Sequence, residues 1–295
     1  MKKKILFVFT SLLLFSLAAF ALAPPTQSVE IRMEYDSQGN LMVFADNKDF
    51  CDYYLSVILS DIRGSDMQTH PYNATISRGE RKLFTIKKVS DFTYPTGRVS
   101  YMAYRGNVNP KLKTDFIYSL PVKPGDTVQA GTAKNSGDFT LAFDLSRAGD
   151  TIYACREGRI CDYKLTDQTA KGHIADDKII VYHNDGSLSE YAQFEKSLVF
   201  PGEFVKIGQP IAINTGKTVP KTIIFAVYYL DKNKVKNAET GSKHSHLIPV
   251  FHTLNAGDVK LEEDATYTGE ITEDMIIQEM SDREKKKYEK KKANK

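Results

Sequence analysis

The chain has 295 residues, with 40 Lys and Arg against 37 Asp and Glu. This length allows two ordinary domains, each with its own core. The small net charge gives no reason to expect a nucleic-acid partner, and we predict none. The basic excess is local, because the last thirteen residues, Arg283–Lys295, hold eight basic and two acidic side chains.

Residues 1–23 have the pattern of a secretory signal peptide. Three lysines directly follow Met1, and an apolar run from Ile5 to Phe20 comes next. Small residues at Ala19 and Ala21, or at Ala21 and Ala23, offer cleavage sites. We therefore predict an exported protein of the periplasm, the cell envelope or the extracellular space. The alternative, a segment retained as a membrane anchor, stays open.

Residues 24–118 are predicted to form a β-sandwich module. Apolar and polar residues alternate in short stretches such as Val29–Tyr35, Tyr54–Leu59 and Val99–Tyr104. Turn signals at Ser37–Asn40 and Tyr94–Gly97 separate these stretches. A period of two at this spacing is typical of antiparallel strands in a sandwich.

A second β-rich region is predicted from 119 to 255. The Pro and Gly residues at 121–125 are typical of a domain boundary. The second region contains Cys155 and Cys161, which flank a segment with the composition of a hairpin turn. In an exported protein these two are the natural disulfide pair. A catalytic thiol is the competing interpretation. The third cysteine, Cys51, is predicted to be a buried small apolar residue.

Residues 256–295 are predicted to be a charged, partly helical tail. Apolar residues recur at helical spacing in Glu273–Met280, and Thr272 is a plausible N-cap followed by acidic residues. Two interpretations of the Lys-rich end remain open. It is either a weak contact for anionic surfaces or simply a solvated terminal helix.

A series of motifs within the second region carries a family resemblance. The series comprises Gly149–Ala154, Ile180–Ser187, Tyr191–Phe194, Val199–Ile211 and Thr222–Phe225. In this order and spacing it resembles the LytM/lysostaphin-like family of peptidoglycan zinc endopeptidases. The resemblance implies a LytM-like antiparallel β domain. The predicted fold is therefore mostly β: an N-terminal β-sandwich, this domain and a short helical tail.

The resemblance also assigns the family's site positions, and most of them hold the wrong residues. Asp144 stands where the family has a ligand Asp, and Gln193 stands at the His of Tyr-x-His. Thr222 and Ile224 replace the two histidines of His-x-His. Hydrolytic zinc needs three protein ligands and an open position for water. We therefore predict a degenerate site with no zinc, no other cofactor and no catalytic residue.

Several alternatives follow from the histidines and from the fold. His244-Ser-His246 has a spacing that places both rings on one face of a strand, so a relocated zinc site there is the minor alternative. The predicted function is an exported, catalytically inactive peptidase-like protein that binds peptidoglycan or a cell-wall hydrolase. The alternatives are an active cell-wall zinc endopeptidase and an envelope structural or adhesion protein.

Overall fold

The computed structural model describes residues 28–68, 71–133, 140–161, 178–236 and 242–293. The predicted signal segment, 1–23, lies outside these ranges. Within them, none of the helices has the length and apolar character needed to cross a membrane.

The first part of the chain forms two three-stranded antiparallel sheets. Their strands are β1 (Val29–Tyr35), β2 (Leu41–Asn47), β3 (Tyr53–Arg63), β4 (Tyr72–Ile76), β5 (Gly79–Ile86) and β6 (Thr96–Arg105). The sheet orders are β1-β2-β5 and β4-β3-β6. Alternate residues of β2 and β3, including Val43, Leu55 and Val57, are fully buried in one cluster shared by both sheets. This is the sandwich arrangement that the period of two predicts.

The rest of the chain is also mostly β. Its strands are β7 (Ile117–Tyr118), β8 (Thr127–Thr132), β9 (Leu141–Asp144), β10 (Thr151–Tyr153), β11 (Gly158–Ile160), β12 (Lys178–Tyr182), β13 (Ser187–Ala192), β14 (Lys196–Ser197), β15 (Phe204–Val205), β16 (Pro210–Ile213), β17 (Thr222–Leu230), β18 (His244–Leu247), β19 (Val250–Thr253), β20 (Gly257–Val259) and β21 (Thr266–Thr268). A nine-stranded antiparallel sheet runs β15-β11-β12-β13-β17-β9-β8-β21, with β18 paired to the end of β17. Two smaller sheets, β10-β16-β14 and β20-β19-β7, complete this part.

Strand β17 lies at the centre of the nine-stranded sheet and separates its two faces. Ile223, Phe225 and Val227 point inward and are fully buried in the main core. The Phe225 ring lies 5.0 Å from that of Tyr191 and 5.9 Å from that of Phe251, both in edge-on geometry. We call the opposite side of this sheet the outer face; it carries Thr222 and Ile224, which are half-buried.

The N-terminal sheets cover one end of the outer face. Ile180 and Leu188, whose side chains alternate with the core residues of β12 and β13, belong to the buried cluster of the N-terminal sheets. Across this contact the Tyr182 hydroxyl donates to Asp52 at 3.1 Å. Toward Thr222, in the part of the chain that the structure describes, the outer face carries half-buried residues.

Three short helices are present in the described residues: α1 (Lys232–Lys236), α2 (Glu273–Ile277) and α3 (Asp282–Ala293). Thr272 caps α2, as predicted, by accepting a hydrogen bond from the Met275 backbone N–H. The mostly β fold with short C-terminal helices is therefore confirmed. Strands β20 and β21 lie beyond residue 255 and pair with β19 and β8, while the division at 118 and 255 stays a proposal.

Candidate functional site

Strand register brings three of the four predicted site positions together on the outer face. Thr222 lies directly opposite Asp144 across the β17–β9 pair. Ile224, two residues along β17, is on the same face. Directly opposed residues in an antiparallel pair have Cβ atoms about 5 Å apart. We call this part of the outer face the open end.

Small side chains surround Ile224 at the open end. Ala142 of β9 and Ala192 of β13 lie opposite it on its two sides, and Gly131 of β8 lies beyond Ala142. The side chains beside Ile224 are short, because Ala142 and Ala192 end in a methyl group and Gly131 has no side chain. We call this row of small apolar residues, which lies beside the polar pair of Asp144 and Thr222, the apolar trough.

The fourth position, Gln193, directly follows β13 and has an unusual backbone conformation. Its φ angle is 66°, in the left-handed region that residues other than Gly rarely adopt. Tyr191, two residues earlier, is fully buried, and its phenolic oxygen accepts a 2.7 Å hydrogen bond from the Cys155 N–H. Gln193 is thus held at the point where the chain leaves the sheet beside Ala192.

A buried amide, which sequence reasoning missed, joins the strands of the open end. Asn214 is fully buried, and its Nδ2 donates to the carbonyl oxygens of Gln193 at 2.8 Å and Pro220 at 2.9 Å. Its Oδ1 accepts from the Gly216 N–H at 2.9 Å. The available signal is the Asn-Thr-Gly turn between two apolar stretches, since Asn side chains commonly bond nearby backbone in turns.

Glu195 holds the loop that follows Asn214. Its carboxylate accepts from the Thr215 hydroxyl at 2.6 Å, and from the backbone N–H groups of Lys217 at 2.7 Å and Thr218 at 2.9 Å. Partial burial alone would raise the pKa of Glu195, but these hydrogen bonds to the charged form lower it to about 2. The loop beside the open end is therefore anchored by an ionised carboxylate.

The donor set of the open end does not fit the zinc ion that the family resemblance implies. Asp144 is the one carboxylate at the four positions, and its Oδ1 accepts bonds from the backbone N–H and the hydroxyl of Ser146. Ile224 has no donor atom, and Thr222 offers only a neutral hydroxyl. Zinc in proteins takes thiolate, imidazole or carboxylate ligands. The open end can form hydrogen bonds and apolar contacts, and Asp144 is the one ionisable side chain among the four positions.

His183 lies in the interior rather than at the open end. Its Nδ1–H donates to the Glu157 carbonyl at 2.7 Å, and its Nε2 accepts from the Ser189 hydroxyl at 2.7 Å. Burial, with the nearby positive charge of Arg156, lowers the pKa of His183 to about 3. The ring is therefore neutral, fully bonded and structural.

The histidines of the alternative zinc site lie on β18, at the end of β17 remote from Ile224. His246 is opposite Tyr228 and His244 is opposite Leu230. His244 Nε2 donates to the Arg105 carbonyl at 2.8 Å, and burial lowers the pKa of the His244 ring. In the described part of the chain, a group of three potential ligands converges at Asp49, Cys51 and Cys161, and it does not include this pair.

The predicted disulfide between Cys155 and Cys161 is not present in this structure, where both residues are free thiols. Gly158 and Arg159, expected in a hairpin turn, instead belong to strand β11, which pairs with β12 and β15. Cys155 is buried in the main core, whereas Cys161 belongs to the cluster of the N-terminal sheets. The third thiol, Cys51, is buried as predicted.

No family model matches the chain, and no curated protein matches it either. Among solved structures, it is similar to the deep-sea M23 metalloprotease pseudoalterin, at 16% identity and a TM-score of 0.28, over 38% of this chain and 70% of that one. Helicobacter pylori Csd3 gives 10% identity and a TM-score of 0.29, over 88% and 83% of the two chains. A zinc-containing peptidase from Vibrio cholerae is similar at 12% identity and a TM-score of 0.23, over 67% of this chain and 81% of that one. Likenesses this low do not establish membership of a family.

Proposed function

We propose that this is an exported, catalytically inactive, peptidase-like protein whose open end binds an extended peptide. The peptide is either a stem peptide of peptidoglycan or a segment of a cell-wall hydrolase. The observation that carries the proposal is the composition of the open end: an apolar trough at Ile224 lies beside the polar pair of Asp144 and Thr222. Export is proposed from the pattern of residues 1–23.

The chemistry of the open end suits a peptide without suiting its hydrolysis. A peptide laid across the sheet meets small side chains, so its backbone can approach closely. The hydroxyl of Thr222 and the amide of Gln193 can each donate and accept hydrogen bonds, which matches the mixed polarity of a peptide backbone. We expect a modest affinity, about micromolar, because the trough consists of small side chains and buries little of its ligand.

Pull-down on purified peptidoglycan sacculi tests the binding surface. Replacing Thr222 by Trp or Ala192 by Trp fills the trough, and either change should weaken binding at least about tenfold, or about 1.4 kcal/mol. The matched control is Thr96→Trp, at an exposed position on β6 in the N-terminal sheets. Equal binding by all folded variants would place the interaction elsewhere and favour an envelope structural or adhesion role.

The rival enzymatic function is tested on the same purified protein. We expect less than one zinc per ten molecules by mass spectrometry of the metal, and no cleavage of peptidoglycan cross-bridges. Zinc bound one to one, and lost when His244 and His246 are both replaced by Ala, would instead identify a relocated metallopeptidase site.

The basic residues of α3 are a secondary proposed contact with anionic surfaces. None of the helix is buried, and its last turn carries Lys290, Lys291 and Lys292. Such a contact is electrostatic, so it should weaken steeply as ionic strength rises. Deleting residues 283–295 should remove only this salt-dependent part of the binding.

A further inference from the structure

We infer that Cys51 and Cys161, rather than the pair predicted from sequence, form a disulfide that links the N-terminal sheets to the nine-stranded sheet. Both thiols are buried, Cys51 at 2% exposure and Cys161 at 0%. Their sulfur atoms and a carboxylate oxygen of Asp49 all lie within 4.8 Å of one another. A disulfide has its sulfurs about 2.05 Å apart, so only a short approach separates the two thiols from the bonded state.

The surrounding residues hold Cys51 toward its partner. Cys51 lies between β2 and β3, and the Asn47 side-chain amide donates to its carbonyl at 2.9 Å. On the other side of the contact, the Cys161 N–H donates to the Ile180 carbonyl at 2.8 Å. Neither residue is within a strand, so a small adjustment of the sulfur positions does not break strand pairing.

A metal ion is the competing occupant of this cluster, and the bonding of Asp49 disfavours it. Its Oδ2 accepts from Arg105 Nη2 at 2.8 Å and from the Tyr53 hydroxyl at 3.1 Å, and its Oδ1 accepts from the Phe50 N–H at 2.6 Å. A cation would have to displace the guanidinium of Arg105. Without Asp49, two thiols remain, which is fewer than structural metal sites use.

The oxidation requires a disulfide donor, which an exporting cell supplies in the compartment where the chain folds. One cysteine thiolate attacks the donor disulfide, forming a mixed disulfide and releasing one donor thiolate. The other cysteine thiolate then attacks the mixed disulfide, forms the Cys51–Cys161 bond and releases the second donor thiolate. Two electrons pass to the donor, and its two thiolates take up from solvent the two protons that the cysteines release, so the donor leaves in its reduced thiol form.

The order of events follows from burial. Desolvation and the neighbouring Cys161 raise the pKa of the Cys51 thiol, so little thiolate exists once the protein has folded. We therefore place the exchange during folding, before the cluster closes. The same burial then protects the finished bond from external reductants.

Peptide mapping provides the test. Mature protein is refolded with oxidised and reduced glutathione, its remaining thiols are alkylated, and it is digested without reduction. We expect a linked peptide pair holding Cys51 and Cys161, with Cys155 alkylated. Free Cys51 and Cys161, or a Cys155–Cys161 link, would overturn the inference, as would one-to-one zinc that is lost in Cys161→Ala.

Thermal stability gives a second measurement. The bond closes a loop of about 110 residues, so reduction under denaturing conditions followed by refolding should lower the Tm by roughly 5 to 15 °C. The redox-dependent difference should persist in Cys155→Ala and vanish in Cys161→Ala. If Cys161→Ala does not fold, the peptide map of the wild-type chain still decides.

The inference uses the proposed export only as the source of the oxidant. Refolding in glutathione tests the pairing whether or not the protein binds sacculi. A link that forms in vitro supports the inference. If protein recovered from cells then has free thiols, that result contradicts only the proposed export and not the pairing of Cys51 with Cys161.

Discussion

A buried ion pair between Arg156 and Glu279 should be the main attachment of the C-terminal segment. Arg156 is fully buried, and the side chain of Glu279 is 3% exposed. The guanidinium donates from Nε at 3.0 Å and from Nη2 at 2.7 Å to the two carboxylate oxygens of Glu279. It also lies over the Phe116 ring, 3.8 Å from the centroid. Bidentate geometry and burial make this the kind of pair that is costly to break.

We expect Glu279→Ala to destabilise the protein by about 3 kcal/mol. Removing one partner of a buried pair typically costs 3–5 kcal/mol, because the remaining charge is left without compensation. The lower end applies here, since Arg156 Nη1 keeps its bonds to Asp185 at 3.2 Å and the Tyr118 hydroxyl at 3.1 Å. Arg156→Met should cost more, because it leaves two buried carboxylates, Asp185 and Glu279, without their cation.

Urea denaturation with limited proteolysis of the C-terminal segment measures the effect. The matched control is Glu273→Ala, which removes an exposed contact to Lys292 and should cost far less than Glu279→Ala. Arg156→Lys keeps the charge but not the two-pronged geometry, and we expect an intermediate loss. If Glu279→Ala and Glu273→Ala were equally stable and equally resistant to protease, the buried pair would not be what holds the segment.

Three further predictions concern pH and the open end. Burial opposes protonation of His252, but hydrogen bonds to Asp258 at 2.6 Å and Glu270 at 3.1 Å raise the pKa of the ring. The charged ring therefore stabilises the fold fully below the ordinary histidine pKa of about 6.5. This stabilisation is lost as the pH rises through the raised pKa. His252→Asn should flatten the corresponding decline in Tm. The lowered pKa of Glu195 gives the opposite pH dependence. The ionised carboxylate stabilises the fold above about pH 4.3, and this stabilisation is lost as the pH falls through about 2. Glu195→Gln should remove this acid dependence and lower the free energy of unfolding by less than about 1 kcal/mol at pH 7. Asn214→Ala should cost about 1 to 2 kcal/mol, because the carbonyl groups of Gln193 and Pro220 lose the buried amide that donates to them, and it should weaken sacculus binding as well.

Matched controls accompany these three variants. His246→Asn is the matched control for His252→Asn, because it replaces an exposed histidine on β18. Asn233→Ala, at an exposed position in α1, should cost far less than Asn214→Ala. Parallel pH profiles for the wild-type chain and His252→Asn would contradict the charge assignment, and unchanged hydrogen exchange in the 214–218 loop of Glu195→Gln would contradict its anchoring role.

Much of the architecture follows from local sequence. Alternation in Leu41–Asn47 and Tyr53–Arg63 predicts strands because side chains on a strand point to opposite faces in turn. The cap at Thr272 is also local, since it needs only its own hydroxyl and an N–H three residues away. The chemical identity of the four site positions, with Ile224 among them, is likewise read directly from the chain.

Tertiary structure alone decided the contacts between remote segments. Composition indicated a turn between Cys155 and Cys161, but pairing with β12 and β15 made Gly158–Ile160 a strand, and the two thiols lie in different cores. Arg156 and Glu279 meet although 123 positions separate them. Tertiary structure also decides the register of the strands. A slip of one residue between β9 and β17 would turn the side chains of Thr222 and Ile224 toward the core. Local patterns specify the period of an element, whereas its partner and register depend on what the whole chain can bury together.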